Sequence, residues 1–165
     1  MILKLALSLA IVVTATLAAK TALADSTPWA SVASACRTRS ANTDYTEYGG
    51  EIDTTAGKQV FLTCPINYSV GAGFNSFRLY SSGSSATVGR STAILFRQNK
   101  STFALTAVAT VTRSAITPGV SSVSINSSTF DFDANWYFVQ INADGTYGGA
   151  SVQTVFAVEI IYIVP

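Results

Sequence analysis

The sequence predicts an all-β protein: an antiparallel β-sandwich of about seven or eight short strands, with a jelly-roll or immunoglobulin-like strand order. Three observations predict this fold. Several segments alternate apolar and polar residues with the two-residue period of a strand. Val, Ile, Phe, Tyr, Ser and Thr are abundant, and turn-forming residues separate the apolar segments. After residue 24, no segment carries apolar residues at the 3.6-residue spacing of an amphipathic helix.

The first 24 of the 165 residues have the organisation of a secretory signal peptide. Lys4 charges the start, an apolar run extends from Leu5 to Ala19, and Ala22-Leu23-Ala24 places small residues before a cleavage site at Asp25. A retained membrane anchor is the alternative, but this run is shorter than the roughly 20 apolar residues of a spanning helix. We therefore expect residues 25–165 to form one secreted domain, periplasmic or extracellular, with no membrane span after cleavage.

Charge is sparse in this chain. Charged residues make up 12% of it, against about 25% in an average soluble protein. Cleavage would remove Lys4 and Lys20 and leave eight basic against nine acidic residues, a formal net charge of −1. The remaining Lys and Arg residues are scattered along the sequence, whereas a nucleic-acid surface needs them clustered. The sequence therefore argues against nucleic acid as a main partner.

Both cysteines, Cys36 and Cys64, lie in the exported part of the chain. An oxidising compartment favours a disulfide between them. Two free thiols, or half of a metal site, are the alternatives. A metal site would lack its other ligands, because the chain has no histidine and no third cysteine. The sequence thus predicts a Cys36–Cys64 disulfide, no bound metal and no cofactor.

Seven segments carry the strand pattern. They are residues 58–64, 74–80, 93–97, 103–112, 120–125, 136–142 and 152–164. The fourth alternates most clearly, which predicts a single apolar row: Phe103, Leu105, Ala107, Ala109 and Val111. The fifth is short and rich in Ser, which predicts an edge strand.

The last two predicted strands are expected to pair as an antiparallel hairpin. Asn142-Ala143-Asp144-Gly145 supplies turn-forming residues between them, and Gly145 can adopt a positive φ. The final strand is expected to turn one apolar row to the core: Phe156, Val158, Ile160, Tyr162 and Val164.

No catalytic constellation is apparent. The chain has no histidine, no nucleophile elbow and no Ser-x-x-Lys arrangement. A carboxylate-dependent glycoside hydrolase is the remaining enzyme hypothesis, with Glu51, Asp53 or Asp131 as its candidates. That chemistry needs two carboxyl groups facing each other across a cleft, and their spacing in the sequence places no such pair. We therefore expect a protein that is not an enzyme.

Residues 131–135 resemble the start of a calcium loop, because Asp131, Asp133 and Asn135 offer oxygen ligands at alternate positions. Trp136 stands where an EF-hand requires glycine, and Asn142 stands where it requires a bidentate glutamate. A calcium site of another kind and an Asx-type turn are the alternatives, and the sequence favours the turn.

Trp136, Tyr137 and Tyr147 are the predicted binding residues, because they lie in polar surroundings where an amphipathic ring can stack on a sugar or a protein. Packing in the core is the alternative for such rings. The predicted function is binding or assembly at the cell envelope or outside the cell, with a glycan or an envelope protein as partner. A carbohydrate-binding module, a pilin-like assembly subunit and a glycoside hydrolase are the alternatives, and the sequence assigns no oligomeric state.

Short motifs add a resemblance. Cys36, Leu62-Thr63-Cys64-Pro65-Ile66 and Asn135-Trp136-Tyr137-Phe138-Val139 resemble a group of small exported bacterial β-proteins of unknown function. This resemblance implies a secreted sandwich and no particular activity. The leader, the early cysteines and the apolar C-terminal strand are similar to chaperone–usher pilin subunits, in which an N-terminal extension completes a neighbour's sheet. Residues 25–35 would supply that extension.

Overall fold

The structure, a computed structural model, describes residues 29–66, 74–85, 89–126, 130–147 and 149–161. The signal peptide predicted at residues 1–24 lies outside the described residues, as do Tyr162 and Val164 of the predicted last strand. Within the described ranges, no helix is long and apolar enough to cross a membrane.

The described part of the chain contains eleven β-strands and one turn of 3₁₀ helix, Ala33–Ala35. In chain order the strands are β1 (Trp29–Val32), β2 (Arg37–Thr38), β3 (Tyr45–Tyr48), β4 (Glu51–Thr54), β5 (Gln59–Pro65), β6 (Ser76–Gly83), β7 (Arg90–Asn99), β8 (Leu105–Arg113), β9 (Gly119–Ser124), β10 (Asn135–Asp144) and β11 (Gln153–Ile161). The four strands before β5 were not predicted, because segments of two to four residues are too short to show a periodic pattern.

The strands form two antiparallel sheets. Sheet A has the order β3-β4-β11-β6-β9, with β1 also paired to β11, and sheet B has the order β2-β5-β10-β7-β8. From β4 to β11 the chain changes sheet at every connection except β7–β8, which is the winding of a jelly roll. The predicted all-β sandwich is confirmed, and β9 is the edge strand that its sequence predicts.

The core lies between the two sheets, because each strand turns alternate side chains toward the other sheet. Sheet A and the residues before β6 contribute large side chains with almost no exposed surface: Ile52, Phe74, Phe77, Leu79, Val155 and Ile160. Sheet B contributes a matching set: Val60, Leu62, Leu95, Val139 and Ile141. This arrangement leaves the two outer faces of the sandwich available for contacts with other molecules.

The predicted disulfide is confirmed. Cys36 and Cys64 are bonded, their Cα atoms lie 4.5 Å apart, and both residues are buried. Cys64 belongs to β5, and Cys36 directly precedes the two-residue strand β2. Two ladder positions alone would hold β2 weakly, so the covalent link keeps this edge strand on sheet B.

Strands β10 and β11 do not form the predicted hairpin. β10 pairs with β5 and β7 in sheet B, whereas β11 pairs with β1, β4 and β6 in sheet A. Gly145 lies where the chain crosses from one sheet to the other, and its N–H donates a hydrogen bond to the carbonyl of Lys58. A Cβ at Gly145 would lie 2.4 Å from the Ser151 carbonyl oxygen, so close backbone approach, and not a positive φ, requires glycine there.

A β-bulge divides the apolar row predicted for residues 103–112. Leu95 of β7 pairs with Ala109 and Phe96 pairs with Ala107, so one extra residue of β8 stands between them. Because a bulge changes the phase of the alternation, Leu105 lies on the outer face while Val111 lies in the core. The predicted single row is therefore wrong.

A second bulge divides the row predicted for the final strand. The pairing of β11 with β6 shifts between Val155 and Ala157, and Val155, Val158 and Ile160 are buried. Phe156 lies within the bulge, is only partly buried, and lines a cavity on the outer face of sheet A. The expectation that Phe156 shares one face with Val158 and Ile160 is therefore wrong.

The N-terminal strand pairs within its own chain. Residues Trp29–Val32 run antiparallel to β11, with Trp29 opposite Ile160. Residues 29–32 belong to the extension that the pilin resemblance suggests, and they pair with a strand of their own chain.

We expect the disulfide to contribute strongly to stability. Replacing both cysteines with alanine should lower the free energy of unfolding by about 3–4 kcal/mol, because the bond closes a long loop in the unfolded chain. Urea unfolding of the oxidised protein, the reduced protein and the Cys36→Ala, Cys64→Ala double variant measures this difference. Reduction should leave the double variant unchanged, and an unchanged midpoint after reduction of the native protein would contradict the expectation.

Candidate functional site

The outer face of sheet B is the candidate binding surface. Its residues project away from sheet A, because their neighbours along each strand are buried in the core. We define the sheet B face by these residues: Phe61, Thr63 and Pro65 on β5, Trp136, Phe138, Gln140 and Asn142 on β10, and Thr92, Ile94, Phe96 and Gln98 on β7.

The centre of the sheet B face combines aromatic rings with amides. Phe96 and Phe138 lie opposite each other, and their stacked rings have centroids 5.5 Å apart. Gln140 and Asn142 follow along β10 and project from the same face. The partly exposed Gln140 amide provides hydrogen-bond donors and an acceptor beside an apolar surface, whereas the Asn142 Oδ1 is buried.

An exposed aromatic pair lies at one end of the sheet B face. Trp136 is 49% exposed and Phe103, in the turn between β7 and β8, is 64% exposed. Their ring centroids are 6.3 Å apart, with 34° between the ring planes. Leu105, 51% exposed, pairs with Gln98, which in turn pairs with Trp136. Contiguous apolar side chains that remain in contact with water are typical of an interaction site.

The backbone of Phe103 has a conformation that bulky residues rarely adopt, with φ at +58°. Asn99 fixes the turn that contains it. The Asn99 Oδ1 accepts hydrogen bonds from the backbone N–H groups of Ser101 and Thr102, each at 2.9 Å, and its carbonyl accepts one from the Phe103 N–H. Strain of this kind persists where its surroundings impose it, and it is concentrated at ligand sites. The turn therefore holds the Phe103 ring beside Trp136.

Phe103 was not among the predicted binding residues. Its sequence context suggested the first residue of a strand, since it is followed by an alternating segment. Asn99 in Asn99-Lys100-Ser101-Thr102 is the sequence signal that could have predicted a turn here. Asn favours turns in which its side chain bonds to the backbone two residues ahead.

Tyr147, a predicted binding residue, lies at the opposite end of the sheet B face from Trp136. It is 47% exposed, and the guanidinium carbon of Arg90 lies 4.1 Å from its ring centroid, a cation–π contact. Arg90 stands opposite Asp144, eight residues along β10 from Trp136, so the two ends are about 26 Å apart. Tyr147 and Trp136 are thus near the same face but do not meet.

Tyr137, the third predicted binding residue, is part of the core. It is 3% exposed, because neighbouring residues of a strand point to opposite faces and Trp136 points outward. Its ring centroid lies 5.0 Å from that of Phe130 and 4.8 Å from that of Phe132, and its hydroxyl accepts a hydrogen bond from the Asp131 N–H at 2.8 Å. We therefore leave Tyr137 out of the binding surface.

The carboxylates considered for a hydrolase are not brought together. Glu51 and Asp53 project from one face of β4 in sheet A, whereas Asp131 precedes β10 of sheet B. The Asp131 Oδ1 accepts hydrogen bonds from the N–H groups of Asp133 and Ala134, both at 3.1 Å, which is the Asx-type turn favoured by the sequence. Among the described residues, no three His, Cys, Asp or Glu side chains are grouped so that they could hold a metal ion.

The outer face of sheet A contains a cavity of about 360 Å³ lined by Tyr80, Pro118, Gly119, Phe156, Ala157 and Glu159. The Tyr80 hydroxyl donates a hydrogen bond to the Glu159 Oε2 at 2.7 Å, and an Arg78 Nη1 lies 3.9 Å from the same oxygen. Burial raises the pKa of Tyr80 above its ordinary value, and its hydrogen bond to Glu159 raises the pKa further.

No protein-family model and no curated protein matches the chain, whereas several solved structures do. A "Carbohydrate-Binding Module CBM36 in complex with calcium and xylotriose" is similar at 12% identity and a TM-score of 0.49, covering 79% of this chain and 97% of that one. The CBM36-1 domain of a multidomain xylanase from the hindgut metagenome of Trinervitermes trinervoides is similar at 11% identity and a TM-score of 0.49, covering 83% and 99%.

A third solved structure, the "xylan-binding module CBM15", is similar at 13% identity and a TM-score of 0.49, and the match covers 84% of this chain and 99% of that one. These values assign no ligand. The ligand of this chain has to follow from its own side chains.

We expect Tyr137→Phe to lower the free energy of unfolding by about 1 kcal/mol, because the Asp131 N–H loses its hydrogen-bond acceptor. Urea unfolding measures the change. Tyr48→Phe is the matched control, since Tyr48 is 71% exposed and should tolerate the loss of its hydroxyl. Equal stability of Tyr137→Phe and the native protein would contradict the assigned core role.

We expect Tyr80→Phe to reduce the loss of stability at alkaline pH. The raised pKa means that folded Tyr80 retains a proton which the unfolded chain releases, so the native protein loses stability as pH rises above about 10. Urea midpoints measured between about pH 9 and 11 should fall less steeply for the variant than for the native protein. Parallel declines would contradict this expectation.

Proposed function

We propose that this chain is an exported, non-enzymatic module that binds a carbohydrate on the sheet B face. The observation that carries the proposal is the exposed pair of Trp136 and Phe103, with Phe103 held at a positive φ. A side chain that served packing alone would be buried, and it would not need a strained backbone. The turn instead keeps the Phe103 ring in water beside a second aromatic ring.

The chemistry of the sheet B face suits a sugar chain. One side of a pyranose ring is a row of C–H groups, which packs on flat aromatic surfaces, and its rim consists of hydroxyl groups. Trp136 and Phe103 provide the flat surfaces, and Gln140 provides an amide that exchanges hydrogen bonds with hydroxyls. Apolar contact area together with a few placed polar groups is typical of small-molecule sites.

Export is supported by the Cys36–Cys64 disulfide, since such bonds persist in oxidising compartments and are typical of secreted proteins. The predicted signal peptide at residues 1–24 agrees with this location. Binding without catalysis is supported by the positions of Glu51, Asp53 and Asp131, because none faces another across a cleft.

Alanine substitution tests the proposed function. Trp136→Ala and Phe103→Ala should each raise the dissociation constant for a bound polysaccharide about tenfold, because each removes a stacking surface. Affinity electrophoresis against soluble xylan, β-glucan, galactan and pectin identifies the ligand, and calorimetry gives the constants. Tyr48→Ala is the matched control, since Tyr48 is an exposed aromatic residue of sheet A and should bind as the native protein does.

Stability has to be followed in the same variants. Trp136→Ala should keep its urea midpoint, because the substitution is at an exposed position. Glycan binding that survives both Trp136→Ala and Phe103→Ala, in proteins that remain folded, would refute the site.

A further inference from the structure

We infer that the glycan is acidic, and that Arg37 and Arg39 bind its carboxylates at the β2 edge of the sheet B face. This inference rests on the proposed function and names the chemical class of its ligand. Three features of the structure carry it: the direction of the two arginines, the cavity that both of them line, and the lack of carboxylates among the residues that define the sheet B face.

Arg37 and Arg39 project from the same side of sheet B. Arg37 stands opposite Thr63 of β5, and the Arg39 N–H donates a hydrogen bond to the Phe61 carbonyl at 2.9 Å, which continues the pairing beyond β2. Thr63 and Phe61 belong to the sheet B face, so their partners on β2 face the same way. The Cα atoms of residues two apart on a strand are about 7 Å apart, so both side chains leave the same short stretch of this edge.

The two arginines line a surface cavity of about 580 Å³, together with Thr38, Thr63 and Pro65. Both arginines are exposed. The ion pairs among the described residues are Lys58–Asp44 and Arg78–Glu159, so neither Arg37 nor Arg39 has a described carboxylate within 4.0 Å. Each guanidinium therefore keeps its hydrogen-bond donors available to a ligand in the cavity.

Basic residues lie at the sheet B face, and none of the residues that define this face is a carboxylate. Arg37, Arg39 and Arg90 lie on the side of the sheet B face, and Asp144, opposite Arg90, is buried and accepts hydrogen bonds from Thr146. The exposed Asp131 and Asp133 precede β10 at the Trp136 end, away from the β2 edge. The outer face of sheet A carries Glu51, Asp53 and Glu159 together with Arg78, which lies opposite Glu159. The pairing of β2 with β5 thus places Arg37 and Arg39 at an edge of the sheet B face that carries no carboxylate among the residues that define it.

A carboxylate-bearing sugar chain fits this arrangement. The planar guanidinium group binds a carboxylate through two parallel hydrogen bonds, which a neutral sugar cannot offer. From Trp136 to Arg37 the separation is four residues along β10 and two strands across, about 16 Å, so a ligand that reaches both is an oligomer. Nucleic-acid phosphates also bind guanidinium groups, so a single-stranded oligonucleotide is included in the test as a competing ligand.

Polygalacturonate and its methyl ester test the inference, because they share a backbone and differ in charge. Calorimetry at low and at moderate salt should show at least tenfold tighter binding of the free acid by the native protein, with a difference that shrinks as salt rises. The Arg37→Gln, Arg39→Gln double variant should lose this preference and keep its affinity for the ester. Arg78→Gln is the matched control, since it removes one positive charge from the outer face of sheet A.

Four outcomes would overturn the inference. They are equal affinity for acid and ester, a preference that survives in the double variant, an equal loss of acid binding in Arg78→Gln, and tighter binding of single-stranded oligothymidylate than of polygalacturonate. Failure of the proposed function is a separate result, because it would appear as glycan binding unaffected by Trp136→Ala. If Trp136→Ala abolishes binding of the methyl ester while the acid shows no advantage, the carbohydrate site stands and the acidic ligand does not.

Discussion

The alternation of side chains along β10 is the constraint on which the rest of the structure depends. This strand pairs with β5 on one side and β7 on the other, so its register is fixed at both edges. Tyr137, Val139 and Ile141 face the core, while Trp136 and Phe138 face outward. A shift of one residue would bury the proposed binding side chains and expose the core, so hydrophobic burial and the proposed ligand contact require the same register.

The sequence predicted those parts of the fold that depend on local pattern. Alternation predicted the long strands, and the predicted signal peptide provided a reason to pair Cys36 with Cys64. The sequence could not assign β10 and β11 to different sheets, because a crossing between sheets after Asp144 and a hairpin use similar turn residues. The bulge in β8 was also hidden, since an inserted residue changes the phase of the pattern only once the partner strand is known.

The candidate site was predictable only in part, for the same reason. Trp136 and Tyr137 look alike in sequence, and only the direction of the strand separates an exposed ring from a buried one. Arg37 and Arg39 reach the edge of the sheet B face through the pairing of β2 with β5, whereas Arg90 lies three strands away on β7. Strand pairing decides which charged residues are neighbours on the surface, so the order of charges along the sequence does not reveal it.

At position 103, low backbone strain and an aromatic side chain favour different residues. Glycine or asparagine would occupy a positive φ with less strain, but neither carries an aromatic ring. A library randomised at this codon and selected for thermal resistance should therefore enrich Gly and Asn, whereas the same library selected for retention on ligand should keep Phe, Tyr or Trp. Divergence between the two pools would separate folding pressure from functional pressure at a single residue.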